Sequence, residues 1–437
     1  MNYKETVEYL YHSAPLFQHI GAGAYKEGLT TTELLDEHFG HPHRLFKTIH
    51  VAGTNGKGSC SHTLAAIFQA AGYRVGLYTS PHLVDFRERI RINGEMIPEQ
   101  AVIDFVEQER TFFEPLHPSF FELATAMAFK YFADELVDIA IVEVGLGGRL
   151  DCTNIIQPEL CLITNISFDH TQFLGNTLAQ IAGEKAGIMK KGVPVVIGET
   201  TPETREVFQK HSEEVGCPII FAEDSPIVIN TNKGKDNRFG LTYELRSGFL
   251  NTPVLHGELG GEYQIKNTNT LLHALRQLIY SGFQFGEEHI RQGFAQVCEL
   301  TGLQGRWQKL GENPLVLCDT GHNVGGIAYV SHQLQQLDAP LHIVIGMVND
   351  KDIHGVLDLL PEQATYYFTQ ASVQRALPAE ELQRLAAEHK LEGKAFPSVP
   401  EAFQAAKQQA KAKDIIFVGG SNFIVADLLP IFHKNAI

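Results

Sequence analysis

Nothing in the 437 residues approaches the roughly 18 consecutive apolar residues that a membrane-spanning helix needs, so no membrane partner is expected. No two of the six cysteines (60, 152, 161, 217, 298 and 318) form a C-x-x-C pair, which argues against the commonest zinc arrangement. Their scatter suits reduced thiols in the cytosol. Positive charge is also in short supply. Lys and Arg number 35 against 51 Asp and Glu, for a formal net charge of -16 and a pI near 5.7. Such an acidic chain is a poor general binder of nucleic acid or anionic membrane, although a pocket can still be locally positive for a phosphorylated ligand. The opening MNYKETVEYLYHSAP carries acids and no apolar core, so no signal peptide is expected and the location reads as cytoplasmic. Internal repeats and low-complexity stretches are missing too. What is present is ordinary for a globular protein: 44% hydrophobic and 20% charged residues. At roughly 150 residues per domain, the length suggests two or three domains.

Strand-like apolar runs alternate with helical patterns. LFKTIHVAG (45–53), RVGLYTS (74–80), DIAIVEVG (138–145), LCLITNIS (160–167) and VPVVIGE (193–199) read as strands. SHTLAAIFQAAG (61–72), FELATAMAFKYFADE (121–135) and TLAQIAGEKAGI (177–188) read as helices. Continuous Val/Ile runs bounded by Gly and Asp suit a sheet covered on both faces. The fold class is therefore α/β, a doubly wound, mostly parallel sheet with ligands at the carboxyl ends of its strands. Residues 225–265 alternate with period two and read as a small antiparallel patch. Helices are expected at about 266–281 and 287–297. A second, Rossmann-like α/β series follows, with strands at 315–320, 341–348, 365–370 and 414–421 and a helix at 379–390. The glycine-rich stretch ELTGLQGRWQ (299–308) is the boundary candidate. It gives an ATP-binding domain over 1–298 and a C-terminal domain over 299–437, with a cleft between domains as a natural place for chemistry.

The strongest local signal is GTNGKGS, Gly53 to Ser59, between a strand and a helix. Its glycines let the backbone turn N–H groups toward phosphate oxygens, and the following helix offers its positive end to the same anion. Lys57 can reach the β/γ-phosphates and Ser59 can offer a hydroxyl to Mg²⁺. Thr54, Asn55, Gly56 and Gly58 complete the loop. The spacing is not G-x-x-x-x-G-K-[ST], but the strand–loop–helix setting supplies the same mechanics.

GTNGKGS resembles the nucleotide loop of the Mur ligase superfamily. TSPHL…ERIRING (79–94), EVGLGGRLDCTN (143–154), ITNISFDHTQFLG (163–175), IAGEKAGI (181–188), GRWQ (305–308) and DTGHN (319–323) narrow the resemblance to the folylpolyglutamate synthase/dihydrofolate synthase family. Order and spacing resemble that family from Tyr25 to the C-terminus. The resemblance implies an ATP-dependent ligase that adds L-glutamate to dihydropteroate or to folate through an acyl phosphate. GGRLDCTN with Arg149 looks like the bifunctional bacterial enzymes. The muramyl ligases carry a further N-terminal UDP-sugar domain, and only 52 residues precede Gly53 here.

The resemblance also implies roles. Glu143, with Ser80 and Ser59, would bind a first Mg²⁺; His170 would bind a second, with Asp169 beside it. Imidazole is an unusual Mg²⁺ ligand, and local sequence alone leaves His170 a loop histidine. Lys185 would be carbamylated, a modification sequence chemistry alone does not reveal. Asn267 would contact the nucleotide; its plain reading is a helix N-cap, and Thr268 departs from the small residue usual there. Arg306 would neutralise developing phosphate charge from the second domain, as finger arginines do. Asp319 would bind the ATP end and His322 help place glutamate, although Val324 stands where the family often has proline. Closure of the second domain on the first would assemble the site. The pteroate would lie against Tyr25, Lys26 and Glu27, against Ser119, Phe120, Phe121 and Glu122, and against Leu150, Asp151 and Cys152. Phe121 is equally readable as core. The resemblance further implies ATP as co-substrate, two Mg²⁺, a monovalent cation, no nucleic-acid partner, and a monomer. A monofunctional folylpolyglutamate synthase, another ligase of the superfamily, and a phosphate-loop ATPase that forms no amide stand as alternatives.

Overall fold

The computed structural model describes residues 1–13, 28–232, 239–246 and 248–433. The chain forms two compact units. The first comprises Met1–Gly234, Leu241–Glu258 and Gln264–Leu303; the second comprises Lys235–Gly240, Leu259–Tyr263 and Gln304–Ile437. Two short stretches from before Gln304 thus join the second unit, which the glycine-rich boundary in the sequence did not signal.

In the first unit the strands are β1 (Lys47–Ala52), β2 (Val75–Tyr78), β3 (Ile90–Ile92), β4 (Glu95–Met96), β5 (Ile139–Glu143), β6 (Leu160–Ile163), β7 (Val195–Ile197) and β8 (Ile219–Phe221). They form one sheet in the order β4-β3-β2-β5-β1-β6-β7-β8. From β2 to β8 every pairing is parallel; β3 and β4 add an antiparallel hairpin at one edge. The chain runs from β1 outward to β2 on one side, and later from β5 across to β6 on the other. β1 therefore marks the switch point, where a doubly wound sheet opens a crevice at its strand ends.

The apolar runs are continuous because both faces are covered. On β5, Ile139 and Ile141 belong to the core shared with the helix Lys57–Ala70, while Ala140 and Val142 join the core built with the helix Phe120–Asp134. Glu143, next in the first series, closes the strand on the side of the helix Lys57–Ala70. Its carboxylate adds to burial in pushing up the thiol of Cys60 on that helix. The expected antiparallel patch is the three-stranded sheet of β9 (Val228–Asn232), β10 (Leu241–Leu245) and β11 (Val254–Gly257), with β10 in the centre.

The second unit carries β12 (Gln308–Glu312), β13 (Leu315–Asp319), β14 (Leu341–Ile345), β15 (Thr365–Phe368), β16 (Gly393–Ala395) and β17 (Ile415–Gly419). Their order is β12-β13-β17-β14-β15-β16, parallel except for β12. Its core holds Trp307, Leu317, Ile343, Ile345, Phe368 and Phe417.

Candidate active site

The phosphate loop leaves β1 at Ala52. Gly53 (φ 138°) and Gly56 (φ 85°) lie in the left-handed region that favours glycine. Space excludes a side chain as well: a Cβ on Gly53 would stand 1.9 Å from Thr164 Oγ1, and one on Gly56 would stand 2.4 Å from Asn267 Oδ1. The end of β6 pins the loop. Thr54 N–H donates to Asn165 O (2.9 Å), Asn55 N–H to Asn165 Oδ1 (3.0 Å), and Thr164 Oγ1 and Asn165 Nδ2 donate to Asn55 O (2.5 and 3.2 Å). Gly56 precedes the helix Lys57–Ala70 and offers no side-chain cap. The first-turn N–H groups then suit an anion.

Lys57 Nζ donates to the carbonyls of Gly53 (3.0 Å) and Thr54 (3.1 Å). Lys185 Nζ donates to the same Gly53 carbonyl, also at 3.0 Å. Burial, and then the Lys57 cation, lower the pKa of Lys185 to about 7, against the weaker pull of Asp169 and Asp151. Two ammonium groups on one carbonyl are held in want of an anion. A triphosphate meets that want from outside; loss of charge at Lys185 meets it from within.

The helix Gln264–Tyr280 supports the loop. Asn267 Nδ2 donates to Gln264 Oε1 (2.9 Å), and Gln264 Nε2 to Ser59 Oγ (3.0 Å). Asn267 is the fourth residue of that helix, not its N-cap. Its amide is aimed at Gly56, which corrects the plain capping reading.

Oxygen donors and one imidazole stand at or beyond the carboxyl ends of four neighbouring strands. Ser59 follows β1, Ser80 follows β2, Glu143 ends β5, and Asp169 and His170 follow β6. Val51 on β1 lies directly across from Glu143 in the strand register. Ser80 N–H donates to Glu143 Oε2 at 3.4 Å. His170 sits in the left-handed region (φ 50°) before the helix Thr171–Leu174, its N–H on Asp169 Oδ1 at 2.8 Å. Hydroxyl and carboxylate oxygens fit a hard divalent cation, and such a cation takes its remaining ligands from phosphate and water. Among the described residues no group of three His, Cys, Asp or Glu forms a ready cage.

The pteroate candidates fall in three places. Tyr25, Lys26 and Glu27 lie outside the described residues. Ser119 caps the helix Phe120–Asp134, and the buried Glu122 carboxylate accepts Ser119 N–H at 2.7 Å. Phe120 is buried between Tyr11 and Phe86. Phe121 is half-buried against Tyr78 and covers Gly145, where a Cβ would meet it at 2.4 Å. Leu150 precedes Asp151, whose Oδ2 accepts Leu146 N–H (2.8 Å) and whose Oδ1 accepts Thr153 N–H (3.0 Å). Burial, with the carboxylates of Asp151 and Glu122, pushes the Cys152 thiol well above its ordinary value. The 119–122 and 150–152 stretches therefore adjoin. Arg149 is turned outward, its Nη2 on Glu184 Oε1 at 2.9 Å.

In the second unit, Asp319 at the end of β13 is buried. Its Oδ1 accepts Gly321 N–H (2.7 Å), and its Oδ2 accepts Trp307 N–H (2.7 Å) and Tyr263 O–H (2.6 Å). Burial raises its pKa against those donors and Arg306. The contact holds Trp307 in the left-handed region (φ 47°) and so fixes the neighbouring Arg306, whose Nη1 donates to Gly305 O (3.2 Å) and to Thr320 Oγ1. His322 Nδ1 faces Thr320 O at 3.0 Å. A carbonyl only accepts, so the proton of that contact belongs on Nδ1. Thr164, Asn165, Gln264 and Tyr263 are supports that the sequence reading missed. Only ITNIS and YQIKN, flanking known motifs, could have pointed to them.

A phosphate-loop sheet rimmed by oxygen donors, followed by a second parallel-sheet unit, is the architecture of the Mur ligases. Residues 51–274 match the Mur ligase middle domain, and residues 305–422 match the Mur ligase glutamate ligase domain. The chain belongs to the folylpolyglutamate synthase/dihydrofolate synthase family. It is 33% identical to the folylpolyglutamate synthase of Lacticaseibacillus casei, with 96% of each chain covered. It is 35% identical to the dihydrofolate synthase/folylpolyglutamate synthase of Escherichia coli, over 88% of this chain and 86% of that one. Among solved structures, the bifunctional Yersinia pestis enzyme complexed with AMPPNP and Mn ion superposes with a TM-score of 0.81 at 31% identity, covering 99% of this chain and 98% of that one.

Proposed function

We propose that the protein is an ATP-dependent carboxylate–amine ligase adding L-glutamate to dihydropteroate and to tetrahydrofolate, a bifunctional dihydrofolate synthase/folylpolyglutamate synthase. The observation that carries the reading is the pair of lysines on the Gly53 carbonyl of a glycine-rich phosphate loop, in a chain of this family.

An acid and an amine do not condense at neutral pH without activation. An oxygen of the acid attacks the γ-phosphorus of ATP, and ADP departs. The glutamate amine then attacks the acyl phosphate; inorganic phosphate leaves and the nitrogen gives up its extra protons. Lys57 and the first-turn N–H groups of the loop bind the transferring phosphate and screen its charge. Ser59, Ser80 and Glu143 would hold one Mg²⁺ and His170 a second; bound there, the ions would supply charge neutralisation for two anions brought together. Asn267 and Asp319 serve the nucleotide, Arg306 the phosphoryl charge, and His322 the glutamate. The pteroate rests on Tyr25–Glu27, Ser119–Glu122 and Leu150–Cys152. Residues 1–298 form the ATP-binding domain and 299–437 the glutamate-ligase domain, which also brings Arg306 and Asp319 to the nucleotide. The enzyme works as a cytoplasmic monomer on small molecules, with a monovalent cation; a net charge of -16 argues against nucleic-acid partners.

Lys185 serves as a carbamate. A pKa of about 7 leaves much of the amine neutral above pH 7, and only the neutral amine adds CO₂. Activity is therefore expected to fall on CO₂ depletion and on lowering the pH from 8 to 6, and to return with bicarbonate. A ¹³C carbamate resonance, lost in Lys185→Arg, checks the assignment.

The functional test is phosphate release from Mg-ATP with each acid, with and without glutamate. Release that requires glutamate and proceeds with both acids is the expected result. Release with tetrahydrofolate alone marks a monofunctional enzyme, and release indifferent to glutamate overturns the ligase reading.

A further inference from the structure

His50 is a buried titratable group that the mechanism above does not use. It lies on β1, across from Val142 of β5 and Cys161 of β6 in the strand register, and it is fully buried. An apolar residue is the ordinary occupant of such a position. Burial, with the Lys190 cation adding, lowers the His50 pKa to about 3. The ring is therefore neutral and carries a single N–H.

Which nitrogen carries it follows from the contacts. Nε2 stands 2.8 Å from Thr153 Oγ1. Nδ1 is buried and, among the described residues, has no partner. The Thr153 hydroxyl also meets Asp151 Oδ1, and two proton arrangements satisfy both contacts. In one, Nε2–H donates to Thr153 and Thr153 donates to an ionised Asp151. In the other, Thr153 donates to Nε2, the ring proton sits on Nδ1, and a protonated Asp151 donates to Thr153. The second strands a buried N–H without an acceptor, which costs more than a bare ring lone pair. It also neutralises a carboxyl group that accepts Thr153 N–H on Oδ1 (3.0 Å) and Leu146 N–H on Oδ2 (2.8 Å), donors that favour the charged form. The contacts run one way, from His50 through Thr153 to the Asp151 carboxylate. Capping of the turn Cys152–Ile155 does not call for the imidazole, because Asp151 caps it through Thr153 N–H.

Resting on the ligase reading above, we propose that His50 is a positioning residue of the acid-binding site: through Thr153 it holds Asp151 as a carboxylate that accepts N–H donors of the acid's heterocycle. Oδ2 takes one N–H against two donors on Oδ1, and so keeps acceptor capacity for that ring. Leu146 follows Gly145, where a Cβ would meet the Phe121 ring at 2.4 Å. An aromatic face and the carboxylate thus border the same turn. A heterocycle with an amino group beside a ring N–H offers adjacent donors, which a carboxylate takes with charge-assisted strength.

The test measures the affinity of the enzyme, saturated with Mg-AMPPNP, for dihydropteroate and for its analogue lacking the ring amino group. The wild type is expected to favour dihydropteroate by about ten-fold or more, the range of a hydrogen bond to a charged group. His50→Leu fills the space without an N–H and is expected to cut that preference about three-fold or more. His50→Gln, whose amide places an N–H near the Nε2 position, is expected to restore it. Thr153→Val is expected to abolish the preference and Thr153→Ser to keep it, with affinity for Mg-AMPPNP as in the wild type throughout. Should His50→Leu fail to fold, His50→Asn, whose shorter amide stops short of Thr153, carries the same test against His50→Gln. If the folded His50 variants weaken both acids and the nucleotide together and leave the preference unchanged, His50 is merely structural and the proposal is overturned. A wild type that binds the two acids alike also overturns it and leaves the ligase reading standing; one that binds neither overturns both.

Discussion

Lys57→Ala is expected to lower kcat by about a thousand-fold or more, the scale on which phosphoryl-transfer enzymes depend on groups that hold the moving charge. The fold should survive. Among the described residues Lys57 Nζ donates to two loop carbonyls, Gly53 O and Thr54 O, so net hydrogen-bond energies of about 1 kcal/mol each are at stake. The loop itself stays pinned through Thr164 and Asn165. A second readout follows from charge. The Lys57 cation is one cause of the lowered Lys185 pKa; with it gone that pKa rises, and carbamate formation at pH 7 declines. Turnover near the wild-type rate would remove Lys57 from the phosphate site.

Arg306→Ala is expected to cost about 10³-fold in kcat, as finger arginines do, with little change in thermal stability. Arg306 is half-exposed, and its Nη1 contacts are Gly305 O and Thr320 Oγ1. The neighbouring Trp307 and Asp319 are the buried structural pair. Arg306→Lys is expected to recover little, because an ammonium cannot present the planar fork that meets a phosphoryl group on two oxygens. A rate within a few-fold of wild type would strike Arg306 from the chemistry and leave it a surface residue of the β12 edge.

The sequence made some of this legible and not the rest, for reasons that are local. The runs around Ile139–Glu143 and Leu160–Ile163 are apolar on both faces because helices cover both faces, and that pattern is readable without coordinates. GTNGKGS is readable because its glycines are forced: Gly53 and Gly56 have no room for a Cβ. What holds the loop is less visible. Asn165 and Gln264 are ordinary polar residues until folding carries them to Asn55 and Ser59. Asn267 looks like an N-cap because Asn commonly is one, yet the helix starts three residues earlier. Tyr263 and Asp319 meet only because a five-residue stretch, Leu259–Tyr263, joins the second unit. No periodicity marks such an excursion. Arg89 sits in the ERIRING segment that signalled the family, but its burial is a tertiary property.

The central claim is that the phosphoryl group of ATP passes to an oxygen of the acid before any amide forms. Dihydropteroate labelled with ¹⁸O in its carboxylate, turned over with Mg-ATP and glutamate, tests it in one measurement of the released inorganic phosphate. One ¹⁸O per phosphate for each amide made is the expected result, because the bridging oxygen of the acyl phosphate leaves with phosphorus. Amide product with unlabelled phosphate would contradict it.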